Sequence, residues 1–577
     1  MNPDKAKQLA ADRKWALWIA LFVMAITMIP YLFGYMLTGA GRQFGHFNWL
    51  GYNIDDSCVY LAWMRQVANG HFFQLNLFTT EAQHGHLFNI FFVFLGWIGG
   101  LFHLPLIGVL HATRLLLGVI FLRCFWWFLE ILFDDSRLKK TIYLLLCFSS
   151  GLGWIPGLWH QSGLLSPVDV WQPEAITFLS LYLSPLFLIS FILIIGIVGW
   201  MLIAQRDHSW RAALYAGICA FFLANVHTYD IITFSLVWAL FLIVQSIVNK
   251  RWNWEYWWQT LLAGGIMGVS AGYMWYIYKT EPVFAKRVAV PTLSPSLSLY
   301  LLGYAPLIAL SLVSIWKVIS DYRKRPPIPT PYAPWSSQDA LILGLVWIVA
   351  NFGASYIPVP FQRKMMMGEH MPLCIFSGIA LWRLYAKLDR KALNYVMTLT
   401  CLVLGLTNIR FMARDMMRFM TDTSQSTIQR PYMYKGEIAA LRWIEKNTPA
   451  EAPIQPLPWI TRLPDGRIAF YDTTLAVFAP GLTGHPVDAG HWGETPDFAK
   501  TMFQWVDFMK PDAPDSYRIN LLRSSKIQYI LFSQTHPERY PSDPHLLSLF
   551  TGKPPSYLQF IPAASNRDVY VYKVALP

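Results

Sequence analysis

Long apolar stretches separated by short charged loops make up most of the chain. Stretches long enough to cross a bilayer as helices fall near 15–37, 106–132, 141–158, 181–204, 211–227, 231–248, 257–278, 299–317, 339–357, 371–386 and 392–409, eleven in all. A further stretch, 86–102, is apolar but short and carries Gly96, Gly99 and Gly100. It is expected to lie in the outer interface or to be half-inserted. From about 410 the pattern changes, with more Pro, Gly, Asp and Glu. A helix is expected over 434–447, with Ile438, Leu441 and Ile444 on one face and a stop at Asn447-Thr448-Pro449. Ile527–Phe532 and the alternating, aromatic Val569–Val574 have the pattern of strands. The expected fold is an all-α polytopic membrane domain over 1–409, followed by an extracytoplasmic soluble α/β domain over 410–577.

Composition agrees with that pattern. Hydrophobic residues are 55% of the chain and charged residues 14%, and the mean hydropathy is +0.35, which excludes an ordinary soluble globule. The aromatic share of 16%, with 26 Trp, suits rings at membrane interfaces. The net charge of +12 does not point to nucleic acid, because the cations sit in short loops rather than along one stripe. Six cysteines lie mostly in or beside apolar segments, and the C-terminal region has none, so neither a disulfide framework nor a zinc site is expected. Lys5, Lys7, Arg13 and Lys14 precede the first apolar stretch, which is longer than a signal-peptide core and reads as a retained anchor.

Charge also sets sidedness. With eleven crossings and a cytoplasmic N-terminus, the inner loops hold Arg137, Lys139 and Lys140, then Arg206 and Arg211, Lys250 and Arg251, and the cation clusters at 317–325 and 383–391. The outer loops hold fewer cations: Arg42, Arg65, Lys279, Lys286, Arg287, Arg363 and Lys364. That is a positive-inside bias, and a crossing at 86–102 would invert it. The C-terminal region is then outside. The inner loop 321–335 is Pro-rich and is expected to be a stiff linker.

On this topology the chemistry gathers at the outer ends of the spans. The first outer loop has Asp55, Asp56, Glu81, His84 and His86; the second has Asp169, Trp171 and Glu174. The next outer turn carries His227 and Asp230, and the last has Arg363 and Lys364, then Glu369 and His370. Ionised groups near hydrocarbon are costly and usually serve a substrate, an ion or a proton. Arg363 and Lys364 suit a lipid-linked phosphate. A carboxylate suits a general base, and the remaining carboxylates and histidines suit sugar hydroxyls or a divalent ion. Structural roles stand beside these. Asp55 or Asp56 can cap the helix expected over 57–69, and His227 can be hydrogen-bonded at a span end. Arg363-Lys364 can bind lipid head groups, and Asp169 and Glu174 can be solvated loop residues.

The sequence resembles the GT-C superfamily of membrane glycosyltransferases. The resemblance rests on Asp56-Ser57-Cys58-Val59-Tyr60, an acid with an aromatic four positions on, followed by Leu61-Ala62-Trp63-Met64-Arg65-Gln66 and Phe78-Thr79-Thr80-Glu81. Arg114, the acidic stretch Asp169–Glu174, the run Ala440–Pro449 and the turn Gly484-His485-Pro486 also fit. It implies a polyprenyl-phosphate-linked sugar donor, an extracytoplasmic glycan, lipid or protein acceptor, and a bacterial inner-membrane location. It also implies a first-loop catalytic base: Asp56 by the tyrosine spacing, or Asp55. The substrate-binding residues expected are Glu81, Glu174, His227, Asp230, Arg363, Lys364 and Arg114. A divalent cation, Mg or Mn, would find candidate ligands in Asp56, Asp169 and Glu174. Asp169 and Glu174 stand five apart, however, where branches of the family that use a metal have a tight acidic pair. The competing functions are a transporter or flippase of a lipid-linked sugar and an inactive scaffold of the same fold.

Overall fold

The computed structural model describes residues 3–155, 165–324, 337–421, 430–458, 460–462, 468–470, 475–510, 512–533 and 554–577. The Pro-rich part of the expected linker, from 325 on, lies outside the described residues.

Hydrocarbon offers the backbone no hydrogen bonds, so a crossing segment must satisfy its own N–H and C=O groups as helix. Most of the expected spans fall on helix accordingly, beginning with Pro3–Met36, Leu106–Leu132, Pro185–Arg206, Trp210–Val226, Thr228–Val248 and Trp254–Thr280; the stretch expected over 141–158 is helical only as Ser136–Phe148, with 149–155 irregular and 156–158 outside the described residues. Ser337–Ala354 and His370–Leu384 follow the same rule. Among the described residues five helices are long and apolar enough to cross a membrane on their own, or up to seven if each of two bent pairs is one span. The chain is a multi-pass membrane protein. The bent pairs are Leu297–Gly303 with Ala305–Lys317, at 83°, and Lys391–Leu404 with Leu406–Thr421, at 52°. The stretch that began at 181 breaks earlier than hydropathy suggests. The Ser184 side chain accepts the Leu186 N–H and Pro185 opens the long helix, leaving Thr177–Leu183 as a separate short one.

Packing divides the chain into two compact units. The first comprises Met1–Ile29, His111–Trp275 and Pro291–Arg414; the second comprises Pro30–Leu110, Tyr276–Val290 and Asp415–Pro577. In the first unit Arg114 is buried, and its guanidinium donates to the Thr27 hydroxyl at 3.0 Å and to the Leu181 carbonyl at 2.7 Å. It therefore clamps the first helix to the start of the Leu181 region.

The second unit contains a four-stranded sheet in the order 454–456, 529–533, 569–574, 558–560; the first pair is parallel and the others antiparallel. The expected strands near 527–532 and 569–574 are its two central members. Helix Lys435–Asn447 buries Ile438, Leu441 and Ile444 and ends where Thr448 turns to extended backbone. Its first turn is fixed by Glu437, which accepts from the Tyr434 N–H at 2.9 Å and from both ends of the buried Arg430 guanidinium at 3.1 and 2.6 Å. Arg430 to carboxylate is a bidentate, charge-assisted contact, the strong kind.

Helix Ile54–Ala68 carries the first-loop acids. It packs against Ile90–Leu101 on one side and Leu475–Thr483 on another. The glycines of 86–102, expected to weaken a span, have a positive role here. A Cβ at Gly96 would stand 2.5 Å from the Met64 carbonyl, and one at Gly100 would stand 2.9 Å from Ala68 Cα. Their absence of a side chain lets the two helices touch backbone to backbone, while Phe94 and Trp97 remain exposed on the far face. A Gly96→Val substitution overpacks this contact and is expected to lower stability by about 1–3 kcal/mol. Gly268→Ala, where nothing lies within 4 Å, is expected to be close to neutral. Thermal unfolding of the two variants in one detergent checks the difference.

Candidate functional site

Neither first-loop aspartate caps its helix. The residue at the N-cap is Asn53, in left-handed backbone (φ +64°, ψ +46°), and Asp55 and Asp56 both lie in the first turn. Acids there are favoured by the positive end of the helix dipole, and consecutive positions send them in different directions. Asp56 accepts from the Asn53 side-chain amide at 2.7 Å and stays partly open, its side chain 37% exposed. Asp55 turns inward, its side chain 9% exposed, and accepts from the Trp492 indole N–H at 2.9 Å.

His491 faces both acids. Its Nε2 stands 3.9 Å from Asp55 and 3.7 Å from Asp56, too far for a direct hydrogen bond but close for a charge. The other ring nitrogen, Nδ1, accepts the backbone N–H groups of Gly493 at 3.0 Å and Glu494 at 3.2 Å. An acceptor carries no proton, so the proton of the neutral ring sits on Nε2 and points toward the carboxylates. Burial and the neighbouring Asp56 charge raise the Asp55 pKa, outweighing His491 and the Trp492 hydrogen bond. The result is a pair of unlike carboxylates: one buried, with its pKa raised, and one open and held by an amide.

The same unit holds three further groups of paired charges. Glu494 meets the Arg287 guanidinium at 2.5 Å, and Arg287 lies over the rings of Trp63 at 5.2 Å and Phe88 at 4.7 Å. Lys286 reaches Glu81 at 3.1 Å and Asp497 at 3.5 Å. Glu281 takes His84 at 2.9 Å and His86 at 3.3 Å. Burial lifts the Glu281 carboxyl, but hydrogen bonds from His86 and His84 bring it below the ordinary value. Tyr60, four residues after Asp56, stacks on Phe92 at 4.6 Å and so belongs to the packing of Ile54–Ala68 on Ile90–Leu101.

The remaining candidates fall in the first unit. Asp230 is buried in the first turn of Thr228–Val248, with His227 Nδ1 2.9 Å from its carboxylate. Lys364 lies over the Tyr229 ring at 4.3 Å, and Arg363 over the Trp171 ring at 5.4 Å. The Gln172 amide donates to the Arg363 carbonyl at 3.0 Å, and Glu174 is buried nearby in sequence. Asp169 is buried rather than solvated. It accepts the N–H groups of Gly151 at 2.9 Å and Gly153 at 3.1 Å, and burial lifts its carboxyl to about 6. One oxygen of Asp169 is thus spent on a turn. Among the described residues no three His, Cys, Asp or Glu side chains gather at metal-binding spacing.

The fold these residues occupy has solved counterparts. ArnT from Cupriavidus metallidurans, in a form bound to undecaprenyl phosphate and in the apo state, is similar over 96% of this chain and 97% of its own, at TM-score 0.50 and 14% identity. The archaeal oligosaccharyltransferase AglB from Archaeoglobus fulgidus is similar over 96% of this chain and 74% of its own, at TM-score 0.47 and 13% identity. The chain has the GT-C fold. No family model matches the sequence, and no curated protein does.

Within this GT-C chain, sequence reasoning missed Asn53, Lys286, Arg287, His491, Trp492 and Glu494. The signal for the last three was local: Asp488-Ala-Gly-His-Trp-Gly-Glu494 is dense in chemistry-bearing side chains. Its partner acids lie more than four hundred residues earlier, so spacing alone cannot pair them. The turn at Gly484 is present, with φ +82° and its N–H on the Pro480 carbonyl. An acid whose folded pKa is raised is stabilising below its unfolded value and loses that contribution as pH rises through the folded one. Asp55→Asn, which keeps an acceptor for Trp492, is therefore expected to gain stability over the parent chain between about pH 4 and neutrality. Unfolding curves of both across that range check it; a difference independent of pH would rule out a raised Asp55 pKa.

Proposed function

We propose that this chain is a glycosyltransferase of the membrane surface, moving a sugar from a polyprenyl-phosphate-linked donor to an extracytoplasmic acceptor. The observation that carries the proposal is the pair of unlike carboxylates at the start of Ile54–Ala68, flanked by the fixed Nε2 face of His491. In this reading Asp56 is the general base. It is the open member of the pair, and its amide partner orients one oxygen while the other remains available. The acceptor hydroxyl attacks the anomeric carbon, its proton passes to Asp56, and the bond from that carbon to the phosphate oxygen breaks. Asp55 supports the arrangement from below through Trp492.

Arg363 and Lys364 are assigned to the donor phosphate. Glu81, Glu174, His227 and Asp230 are assigned to sugar hydroxyls or to the cations that meet them. Arg114, with its donors on Thr27 and Leu181, enters this reading as a support of the helices rather than a contact to the sugar. Asp169, engaged by Gly151 and Gly153, and Asp56 and Glu174 stay the ligands to test for Mg or Mn. The charge bias of the loops supports a cytoplasmic N-terminus with the residues after 410 outside, and the family resemblance implies a bacterial inner membrane. Support for the donor class comes from fold: the ArnT structure of the same architecture holds undecaprenyl phosphate.

A removed general base typically costs about 10²–10⁴ in rate. Asp56→Asn is thus expected to lose at least a hundredfold in release of polyprenyl phosphate from the lipid-linked sugar, with unchanged membrane insertion and melting. Full activity in that variant would exclude Asp56 as base. Movement of the lipid-linked sugar between leaflets with no bond broken would instead make the chain a transporter.

A further inference from the structure

The first unit encloses an apolar cavity of about 670 Å³ that no part of the proposed reaction uses. One face of the first helix lines it through Trp15, Ile19, Phe22 and Ile26, positions four, seven and eleven apart and therefore on one stripe. The opposite wall is the bent pair Arg390–Leu404 and Leu406–Thr421, with Gly405 at the 52° bend. Leu144 and Phe148 of Ser136–Phe148 close a third side. Asn394 and Thr398 line the cavity and are exposed, so it opens sideways along the helices.

Its length and its ends define what fits. From Trp15 to Ile26 the helix rises about 16 Å at about 1.5 Å per residue, which is one leaflet's share of a hydrocarbon core about 30 Å thick. One end is ringed by cations from three helices that run in the same direction past the cavity. Lys14 directly precedes Trp15, Lys140 lies one turn before Leu144, and Lys391 lies one turn before Asn394. The Lys140 ammonium stands 5.4 Å over the Trp15 ring. The acids nearby are engaged: Asp12 holds Lys140 at 2.6 Å, and Asp389 caps its own helix on the Ala392 N–H. Lys14 and Lys391 are exposed.

We infer that this cavity is a binding site for one anionic glycerophospholipid, with an acyl chain along the Trp15–Ile26 stripe and the phosphate among Lys14, Lys140 and Lys391. The chain length matches a single leaflet, and the head-group charge complements the cationic end. An acyl chain gains little by leaving lipid for an apolar groove, so the lysines supply the selectivity, about fivefold each. The residues that line it belong to the first unit, and the inference does not rest on the transferase reading.

Native mass spectrometry of the delipidated full chain, titrated with dioleoyl phosphatidylglycerol or dioleoyl phosphatidylcholine, tests it. One phosphatidylglycerol per chain is expected, bound at least about twenty-five-fold more tightly than phosphatidylcholine. Thr398→Trp, which fills the cavity from its open side, is expected to weaken phosphatidylglycerol at least tenfold. The surface double variant Lys14→Gln with Lys391→Gln, which leaves the cavity and the Lys140–Asp12 pair intact, is expected to weaken it about twenty-five-fold and to leave phosphatidylcholine unchanged. Equal binding of the two lipids, or a double variant that binds as the parent chain does, overturns the inference. So does displacement of phosphatidylglycerol by an equimolar polyprenyl phosphate, which would make the cavity a donor site.

Discussion

Lipid cannot hydrogen-bond a peptide group, and that constraint arranges this chain. It makes every long apolar stretch a helix and drives irregular backbone to the helix ends. Polar chemistry then has few places to be: the first turns of Ile54–Ala68 and Thr228–Val248, the loop before His370–Leu384, and the C-terminal region. Where the helices do break, a local device accounts for it. Ser184 caps the helix that Pro185 opens, and Gly405 sits at a bend where a side chain would meet the Cys401 and Phe148 carbonyls.

The acid pair shows how small differences of setting separate two identical groups. Asp55 and Asp56 are neighbours in one helical turn, yet one is sealed under an indole and the other is presented to the surface by an asparagine amide. Burial and like charge favour the proton on the first; hydrogen bonding and exposure leave the second free to act. His491 adds direction, because two backbone N–H groups fix which of its nitrogens meets the carboxylates. Pairs of titratable groups in unlike surroundings are how acid and base roles divide.

Much of this architecture was legible in the sequence, and for a physical reason. Hydropathy over twenty residues is a property of a segment by itself, so the long apolar helices could be located without knowing their neighbours, whereas the irregular backbone after Phe148 could not. The helix 434–447 and the strands near 529 and 569 were legible for the same reason, through their own periodicity. Asp55 and Asp56 stood out because an acid beside an apolar segment is conspicuous alone. What the sequence hid was partnership. Nothing in residues 52–60 announces Trp492 or His491, and nothing in Phe361–Lys364 announces that Arg363 and Lys364 lie on the rings of Trp171 and Tyr229. The glycines of 86–102 were visible but ambiguous, since only the neighbouring helix shows that they serve close approach.

That close approach has a mechanical consequence. Helices joined backbone to backbone at Gly96 and Gly100 cannot slide past one another without collision, so Ile54–Ala68 and Ile90–Leu101 behave as a single plate. The plate carries the acids in the first turn of Ile54–Ala68 and leaves Phe94 and Trp97 of its other member exposed. Whatever shifts those rings would therefore shift the carboxylates with them.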